Sequence, residues 1–156
     1  MMNVAHDTLS FERVFDSTPA DLFRAYADPR VRELWSAPSP FTEVRIDEGD
    51  FCTGGEELGR CGAKGDLRWS TRTYYHLVVP DALISFTEEL REGDQLLTIA
   101  LVTLEIADAD KGVRLKLTDQ VISLVGVEAI SGHREGHAKA LDNLALALLP
   151  KPAVAG

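Results

Sequence analysis

Residues 133–149 read HREGHAKALDNLALALL, and they determine what the rest of the chain must supply. Their apolar side chains recur every three or four positions, which predicts an amphipathic helix that Pro150 stops. The residues on its predicted inner face are Arg134, His137, Leu141, Leu144 and Leu148. A helix with one apolar face needs another element to cover that face, so a covering layer is expected upstream.

Upstream, residues 41–121 have no strong helical period. They carry six runs rich in β-branched and aromatic residues, separated by short turn signals. The predicted strands are 43–47, 51–60, 66–79, 83–90, 96–106 and 113–121. Short turns join antiparallel neighbours, so the pattern predicts a meander. The glycine pair at 54–55 predicts a bulge or bend inside the second strand.

The N-terminal part adds one strand and two short helices. Alternation of side chains predicts a strand over 9–15. Ser17 or Thr18 can cap a helix that starts at Pro19, and the Asp-Pro pair at 28–29 repeats this signal. The order of one strand, two helices, six strands and one long helix predicts an α+β fold. Its economical form is a curved antiparallel sheet wrapped around the terminal helix.

Composition narrows the class of protein. The chain has 156 residues, 45% apolar and 26% charged, which fits one globular domain over 1–156 with a loose tail at 150–156. Its net charge of −9 argues against nucleic acid or an anionic membrane as the main partner. No run of apolar residues is long enough for a membrane span, and no signal peptide is apparent, so we expect a cytoplasmic protein. Cys52 and Cys61 are expected to be reduced thiols, because no CxxC spacing occurs.

A set of motifs spread over nearly the whole chain carries a resemblance. They are residues 15–23, 28–29 with Trp35, Phe51 with 54–55, 62–66, 78–86, 112–120 and 134–144. In order and spacing they resemble the SRPBCC superfamily, also called START-like or Bet v 1-like, which has the helix-grip fold. The nearer resemblance is to its branch related to the activator of heat-shock-protein ATPase. Asp119 departs from the pattern, since glutamate is usual there, and the loop before Gly132 is short.

The resemblance implies a cavity between the sheet and the terminal helix that can hold a small apolar or amphipathic ligand. The superfamily includes lipid-transfer proteins, hormone receptors, polyketide cyclases and antibiotic-sequestering proteins, so the fold by itself does not fix the function.

Two carboxylates fall on predicted inner faces of the sheet. Asp119 alternates in phase with the apolar residues of 113–121, and Glu88 shares the favoured inner face of 83–90. A buried carboxylate needs a partner or a raised pKa. We therefore expect Asp119 or Glu88 to pair with Arg134 or His137. Such a pair could be the polar end of a ligand pocket or an ion pair that pins the helix to the sheet.

The other candidates for the cavity are mostly aromatic, and each could equally be plain core. Periodicity does not settle whether Tyr74 and His76 or the alternate residue Tyr75 point inward. We expect Glu56 and Glu57 to be a solvated charge pair. The full set of predicted cavity residues is Trp35, Phe41, Trp69, Tyr74, Tyr75, His76, Phe86, Glu88, Val102, Leu117, Asp119, Arg134, His137 and Leu141.

Motifs for metal or cofactor chemistry are weak. His133 and His137 have the i, i+4 spacing of two helical metal ligands, but the glutamate of HREGH is third rather than second, and no third ligand is obvious. The glycine pair lacks the lysine and helix of a phosphate loop. We expect no metal and no cofactor, and we assign no catalytic residue.

The favoured function is binding of a small hydrophobic or amphipathic ligand rather than catalysis. One alternative is a polyketide cyclase-like or hydrolase-like enzyme in which Asp119, Glu88 or His137 acts as acid or base. A third is a module that acts on a chaperone ATPase, which rests on the resemblance alone. An exposed edge strand could also pair two copies into a homodimer.

Overall fold

A computed structural model describes residues 2–150 of the chain. All of the predicted loose tail except Pro150 lies outside the described residues. The elements in chain order are β1 (Ala5–Phe15), α1 (Pro19–Ala27), α2 (Pro29–Ser36), β2 (Thr42–Gly49), β3 (Glu56–Ala63), β4 (Asp66–Val79), β5 (Leu83–Glu92), β6 (Gln95–Ala109), β7 (Gly112–Ser123) and α3 (Val127–Ala147). This is the predicted element order, and the α+β helix-grip fold is confirmed.

One curved antiparallel sheet contains all seven strands, in the order β1-β7-β6-β5-β4-β3-β2. Strands β2 to β7 form the predicted meander, and β1 returns to pair with β7. Helix α3 packs on β1 and β7, while α2 contacts both α3 and β2. The helices therefore lie across the inner face of the sheet and contact strands near its two opposite edges. The edge strands β1 and β2 are where the predicted homodimer would form, and that pairing stays a prediction.

The core follows the alternation of the last two strands. On β7, Val113, Leu115 and Leu117 are buried, while the residues between them are not. On β6, Val102 and Leu104 are buried in the same way. Opposite faces of a strand alternate with period two, so one apolar face of each strand builds the layer beneath the helices.

Both short helices begin as predicted. The Thr18 hydroxyl accepts a hydrogen bond from the Asp21 amide at 3.1 Å, and the Asp28 carboxylate accepts one from the Arg30 amide at 2.9 Å. These caps satisfy amides that have no partner inside a helix. The Trp35 indole donates to the Ala25 carbonyl at 3.0 Å, which ties α2 to α1.

The two largest errors in the predicted boundaries are at the starts of β3 and α3. The strand predicted over 51–60 begins only at Glu56, because Gly54 adopts a φ of 85° and turns the chain. The turn is held by the Gly54 amide, which donates to the Tyr75 carbonyl at 2.8 Å. Helix α3 begins at Val127, six residues before the predicted start at 133, directly after Gly126 with a φ of 102°.

A bulge in β4 explains why its alternation was ambiguous. The register with β5 shifts between Tyr75 and Leu77, so His76 is an extra residue in the ladder. Tyr75 before the bulge and Val78 after it are both turned toward the core, although they are three positions apart. One added residue reverses the phase of a strand, so no single alternation describes this one.

Candidate functional site

A cavity of about 360 Å³ lies between the inner sheet face and the helices. Its wall is mainly aliphatic and aromatic. Every strand except β1 contributes to it, and β4 contributes only Thr71. Its main apolar lining residues are Tyr26, Trp35, Ile46, Phe86, Leu90, Val102, Leu104, Leu117, Ala140 and Leu141. Because α3 rests on β1 and β7 and α2 on β2, the space between them is not filled by side chains.

One side of the cavity carries an aspartate held by two histidines. Asp119 on β7 is fully buried. Its Oδ2 lies 2.8 Å from Nε2 of His137 and 3.1 Å from Nδ1 of His133. The histidines are one turn apart on α3, so the i, i+4 spacing brings both rings to the same carboxylate oxygen. Helix α3 and the sheet are thus joined at one of the polar parts of the cavity wall.

This cluster shifts the acidity of its members. Burial by itself would raise the pKa of Asp119, but the hydrogen bonds from His133 and His137 and the positive charge they can carry lower it to about 2. Burial disfavours a charged His133 imidazole, yet its hydrogen bond to Asp119 and the charge of that carboxylate raise its pKa. Asp119 is therefore ionised at neutral pH.

Glu88 on β5 lines the same side of the cavity. Burial raises the pKa of its carboxyl group, and the imidazoles of His133 and His137 oppose that rise. The cavity wall thus contains two carboxyl groups whose pKa values are displaced in opposite directions.

A second polar cluster lies at the α2 side of the cavity. The Arg32 guanidinium donates to the Glu57 carboxylate, to the Tyr75 hydroxyl at 3.0 Å and to the Tyr26 carbonyl at 3.0 Å. The side chains of Arg32 and Glu57 are only 12% and 13% exposed. The expectation that Glu57 is solvated was therefore wrong. Adjacent residues of a strand point to opposite faces, so Glu56 is exposed while Glu57 turns inward.

Two buried side-chain atoms in residues 2–150 have no hydrogen-bond partner, and both belong to cavity-lining residues. They are Oγ of Ser36 and Oδ1 of Asp119. Buried polar atoms are nearly always paired in folded proteins, and each exception calls for an explanation. Two such atoms on the wall of one cavity are the arrangement expected of groups that bind something inside it.

The predicted cavity residues divide into two sets. Those that line the cavity are Trp35, Phe86, Glu88, Val102, Leu117, Asp119, His137 and Leu141. Those placed elsewhere are Phe41, Trp69, Tyr74, Tyr75, His76 and Arg134. Phe41 is 79% exposed in the connection between α2 and β2. Trp69 is half-buried under the Arg68 guanidinium, whose central carbon is 5.8 Å from the ring centroid.

Three central residues of β4 fall outside the lining, two because of their phase in the strand and one because it packs as core. Tyr74 and His76 point to the outer face, where the His76 ring contacts the Thr87 hydroxyl at 2.9 Å. Tyr75 points inward and is 3% exposed, but it packs between Phe51 and Phe86 as core.

On α3 the predicted inner face was wrong at its first residue. Arg134 is exposed and pairs with Asp7 of β1 at 3.3 Å, whereas His133 turns to the cavity. The two flank the centre of the apolar stripe on opposite sides, and the long cationic side chain takes the flank that reaches water. An earlier start of the helix, with Ile130 in the stripe, would have placed His133 inside.

Between α2 and α3 the cavity comes close to the outer surface. Pro38, just after α2, and Gly136 on α3 line both the cavity and a depression on the outer surface. A Cβ added at Gly136 would meet no atom within 4 Å, so no side chain fills the space beside the helix at this position.

Comparisons with known proteins agree with this architecture. A family model described as Activator of Hsp90 ATPase homolog 1-like protein matches residues 16–148. An uncharacterised protein from Rhizobium leguminosarum is 26% identical, with a TM-score of 0.82 over 95% of this chain and 97% of that one. The Mll3558 protein from Rhizobium loti is 29% identical, with a TM-score of 0.80 over 94% and 99% of the two chains.

Protein CV1439 from Chromobacterium violaceum, at 22% identity and a TM-score of 0.80 over 92% and 98% of the two chains, is alike in fold. No curated protein matches the chain. Within residues 2–150, no helix is both long enough and apolar enough to span a bilayer.

Proposed function

The chain belongs to the family of Activator of Hsp90 ATPase homolog 1-like proteins, and on this basis we propose that it binds a small amphipathic ligand in the cavity beneath α3. The observation that carries the proposal is the pair of unpartnered buried atoms, Ser36 Oγ and Asp119 Oδ1, on the wall of a mainly apolar cavity. Genuinely empty cavities in proteins are lined by apolar groups, whereas polar groups on a cavity wall indicate an occupant that pairs with them.

The size of the cavity supports the proposal. Ligand pockets occupy roughly 300–1,000 Å³ and combine an apolar wall with a few convergent polar groups. At about 360 Å³ this cavity lies at the small end of that range. It suits a compact ligand of a few rings rather than a long acyl chain.

The polar groups define what the ligand must offer. Asp119 is an ionised acceptor with one free oxygen, so the matching ligand group is a hydrogen-bond donor such as an amine or hydroxyl. Ser36 can donate or accept. The rest of the ligand would lie against Phe86, Val102 and Leu117.

Titration with a fluorescent probe tests the proposal. N-Phenyl-1-naphthylamine is neutral, apolar and carries one N–H donor, and its emission rises when it leaves water. We expect saturable binding of one probe per chain. Val102→Phe should weaken binding at least about tenfold, because the added ring occupies the cavity, and tenfold corresponds to about 1.4 kcal/mol.

Leu101→Phe is the matched control. It makes the same kind of change at the neighbouring position of β6, where the side chain points outward and is 37% exposed. Its affinity for the probe should equal that of the unmodified chain. No saturable binding by the unmodified chain, or equal binding by the folded Val102→Phe and Leu101→Phe proteins, would contradict the proposal.

A further inference from the structure

We propose that Asp119, His133 and His137 form a binding site for a divalent transition-metal ion of the Zn²⁺ type, at the polar side of the cavity. The inference goes beyond the organic ligand, although both proposals use Asp119. It also revises the expectation from sequence that no metal binds, because that expectation rested on the absence of a third ligand beside the two histidines. Asp119, remote from them in the chain, supplies it.

The donor atoms already converge. One ligand atom from each residue lies within 4.8 Å of the other two. The Asp119 Oδ2 is 3.1 Å from His133 Nδ1 and 2.8 Å from His137 Nε2. Donor atoms around a tetrahedral zinc at about 2.0–2.1 Å are roughly 3.3 Å apart, so the two distances from Asp119 to the histidines would need to lengthen by only about half an ångström or less to admit an ion.

The type and number of donors fit the same conclusion. Two imidazoles and one carboxylate are a donor set that zinc and other first-row divalent ions accept, and three protein ligands leave at least one coordination position open. All three residues line the cavity, so the open position would face it. Glu88 on the same wall adds a second carboxyl group and favours a cation there.

The rings are held in place by contacts outside the donor set. The other nitrogen of His133, Nε2, lies 3.3 Å from the hydroxyl of Thr98, a residue that is 1% exposed. Partners of this kind fix the orientation and the tautomer of metal-binding histidines. The ring of His137 packs against Phe11 with centroids 5.7 Å apart.

A second observation, independent of the convergence, is the unpartnered oxygen of Asp119. The side chain is 0% exposed, yet its Oδ1 has no hydrogen-bond donor among the described residues. A purely structural aspartate that pinned α3 to the sheet would be expected to have both oxygens paired. A cation beside the carboxylate compensates this buried charge.

Metal titration of the full chain tests the site. After dialysis against a chelator and then chelator-free buffer, the protein is titrated with Zn²⁺ by calorimetry and with Co²⁺ by visible absorption. We expect one saturable equivalent, with Co²⁺ absorption typical of nitrogen and oxygen ligands. His133→Ala and His137→Ala should each weaken binding at least tenfold, because even outer contacts of a metal site change affinity by about 10–100-fold.

His76→Ala is the matched control, since it removes a histidine that lies on the outer face of β4. It should leave the metal affinity unchanged. Circular dichroism checks that each variant folds. If His133→Ala does not fold, His137→Gln replaces it, because the side chain of His137 is 24% exposed and tolerates substitution better.

Absence of saturable binding, or equal affinity in His137→Gln and His76→Ala, would overturn the site. Probe binding measured in the presence of the chelator separates the two proposals. Binding of the probe without binding of metal would support the ligand cavity and overturn the metal site. Binding of metal without binding of the probe would support the metal site alone.

Discussion

At the scale of single residues, Glu57 shows how one position in a strand decides between solvent and core. Its neighbour Glu56 pairs with the exposed Arg72 at 3.0 Å, whereas Glu57 pairs with Arg32 beside the cavity. The sequence contains two adjacent glutamates, and nothing local distinguishes them. The distinction comes from the register of β3 against β4, which the chain acquires only on folding.

Glu57→Gln should therefore lower the free energy of unfolding by about 2–3 kcal/mol, since it leaves the Arg32 charge nearly buried without its counter-charge. Chemical denaturation measures the change. Glu56→Gln is the control, and because its ion pair is exposed it should change stability by less than about 0.5 kcal/mol. Equal effects of the two variants would contradict the assigned burial of Glu57.

Cys61 lines the cavity, so the reactivity of its thiol measures access to that space. Burial, and the nearby charge of Glu88, raise the pKa of its thiol to about 11. The thiolate is the reactive form, so at pH 8 only about one thiol in a thousand can react, and labelling should speed up about tenfold for each pH unit up to the pKa.

Cys52 is exposed and does not line the cavity, so it serves as the internal control. Peptide mass spectrometry after timed iodoacetamide treatment gives both rates. Saturating N-phenyl-1-naphthylamine should slow labelling of Cys61 at least several-fold and leave Cys52 unchanged. Equal protection of both thiols would mean that the probe does not occupy the space beside Cys61.

Among the residues predicted to be functional, Asp119 could be placed by alternation alone, because β7 is regular and every second residue is apolar. The sequence could not decide which of His133 and Arg134 faces the cavity, because they are neighbours at the two flanks of the apolar stripe of the helix. Arg32 and Ser36 gave no sequence signal, since they reach the cavity through the way α2 lies across the sheet.

At the scale of elements, the C-terminal part of α3 is held on both of its flanks by polar contacts with neighbouring elements. The Asn143 amide donates to the carbonyls of Ala37 at 2.9 Å and Trp35 at 3.3 Å, just where α2 ends. At the other side Arg13 of β1 pairs with Asp142 at 2.8 Å. The helix is thus fixed to α2 and β1 while the space beneath it stays open.

Asn143→Ala should lower stability by about 1–2 kcal/mol, because it leaves two partly buried carbonyls without their donor. Amide exchange in α3 should also become faster, since the helix loses its attachment to α2. Lys139→Ala, at an exposed position of the same helix, is the control and should change neither quantity. Unchanged exchange in Asn143→Ala would show that α3 is held by its apolar contacts alone.

The order and type of the elements could be predicted because caps, turns and alternation are local signals. The two largest boundary errors lie at glycines with positive φ, Gly54 and Gly126, where the backbone rather than the side-chain pattern sets the end of an element. The sequence did not predict the bulge in β4 for a related reason: an extra residue in one strand is defined only by its pairing with the neighbouring strand, here β5.

At the scale of the whole molecule, the fold places a few residues of the acidic excess on the wall of the cavity. Of the many carboxylates, Glu57, Glu88 and Asp119 line the cavity, and each is there because of its phase in a strand. The sheet and α3 could be derived from the sequence, whereas the space between them depends on where the helices come to rest. That space and the polar atoms on its wall are the basis of the functional proposal.

A crystal structure of the full chain with saturating N-phenyl-1-naphthylamine tests the central claim most directly. The account predicts the probe beneath α3, against Val102 and Phe86, with its N–H within hydrogen-bond distance of Asp119 Oδ1 or Ser36 Oγ. A cavity closed by its own side chains, or a probe bound only on the outer face of the sheet, would contradict it.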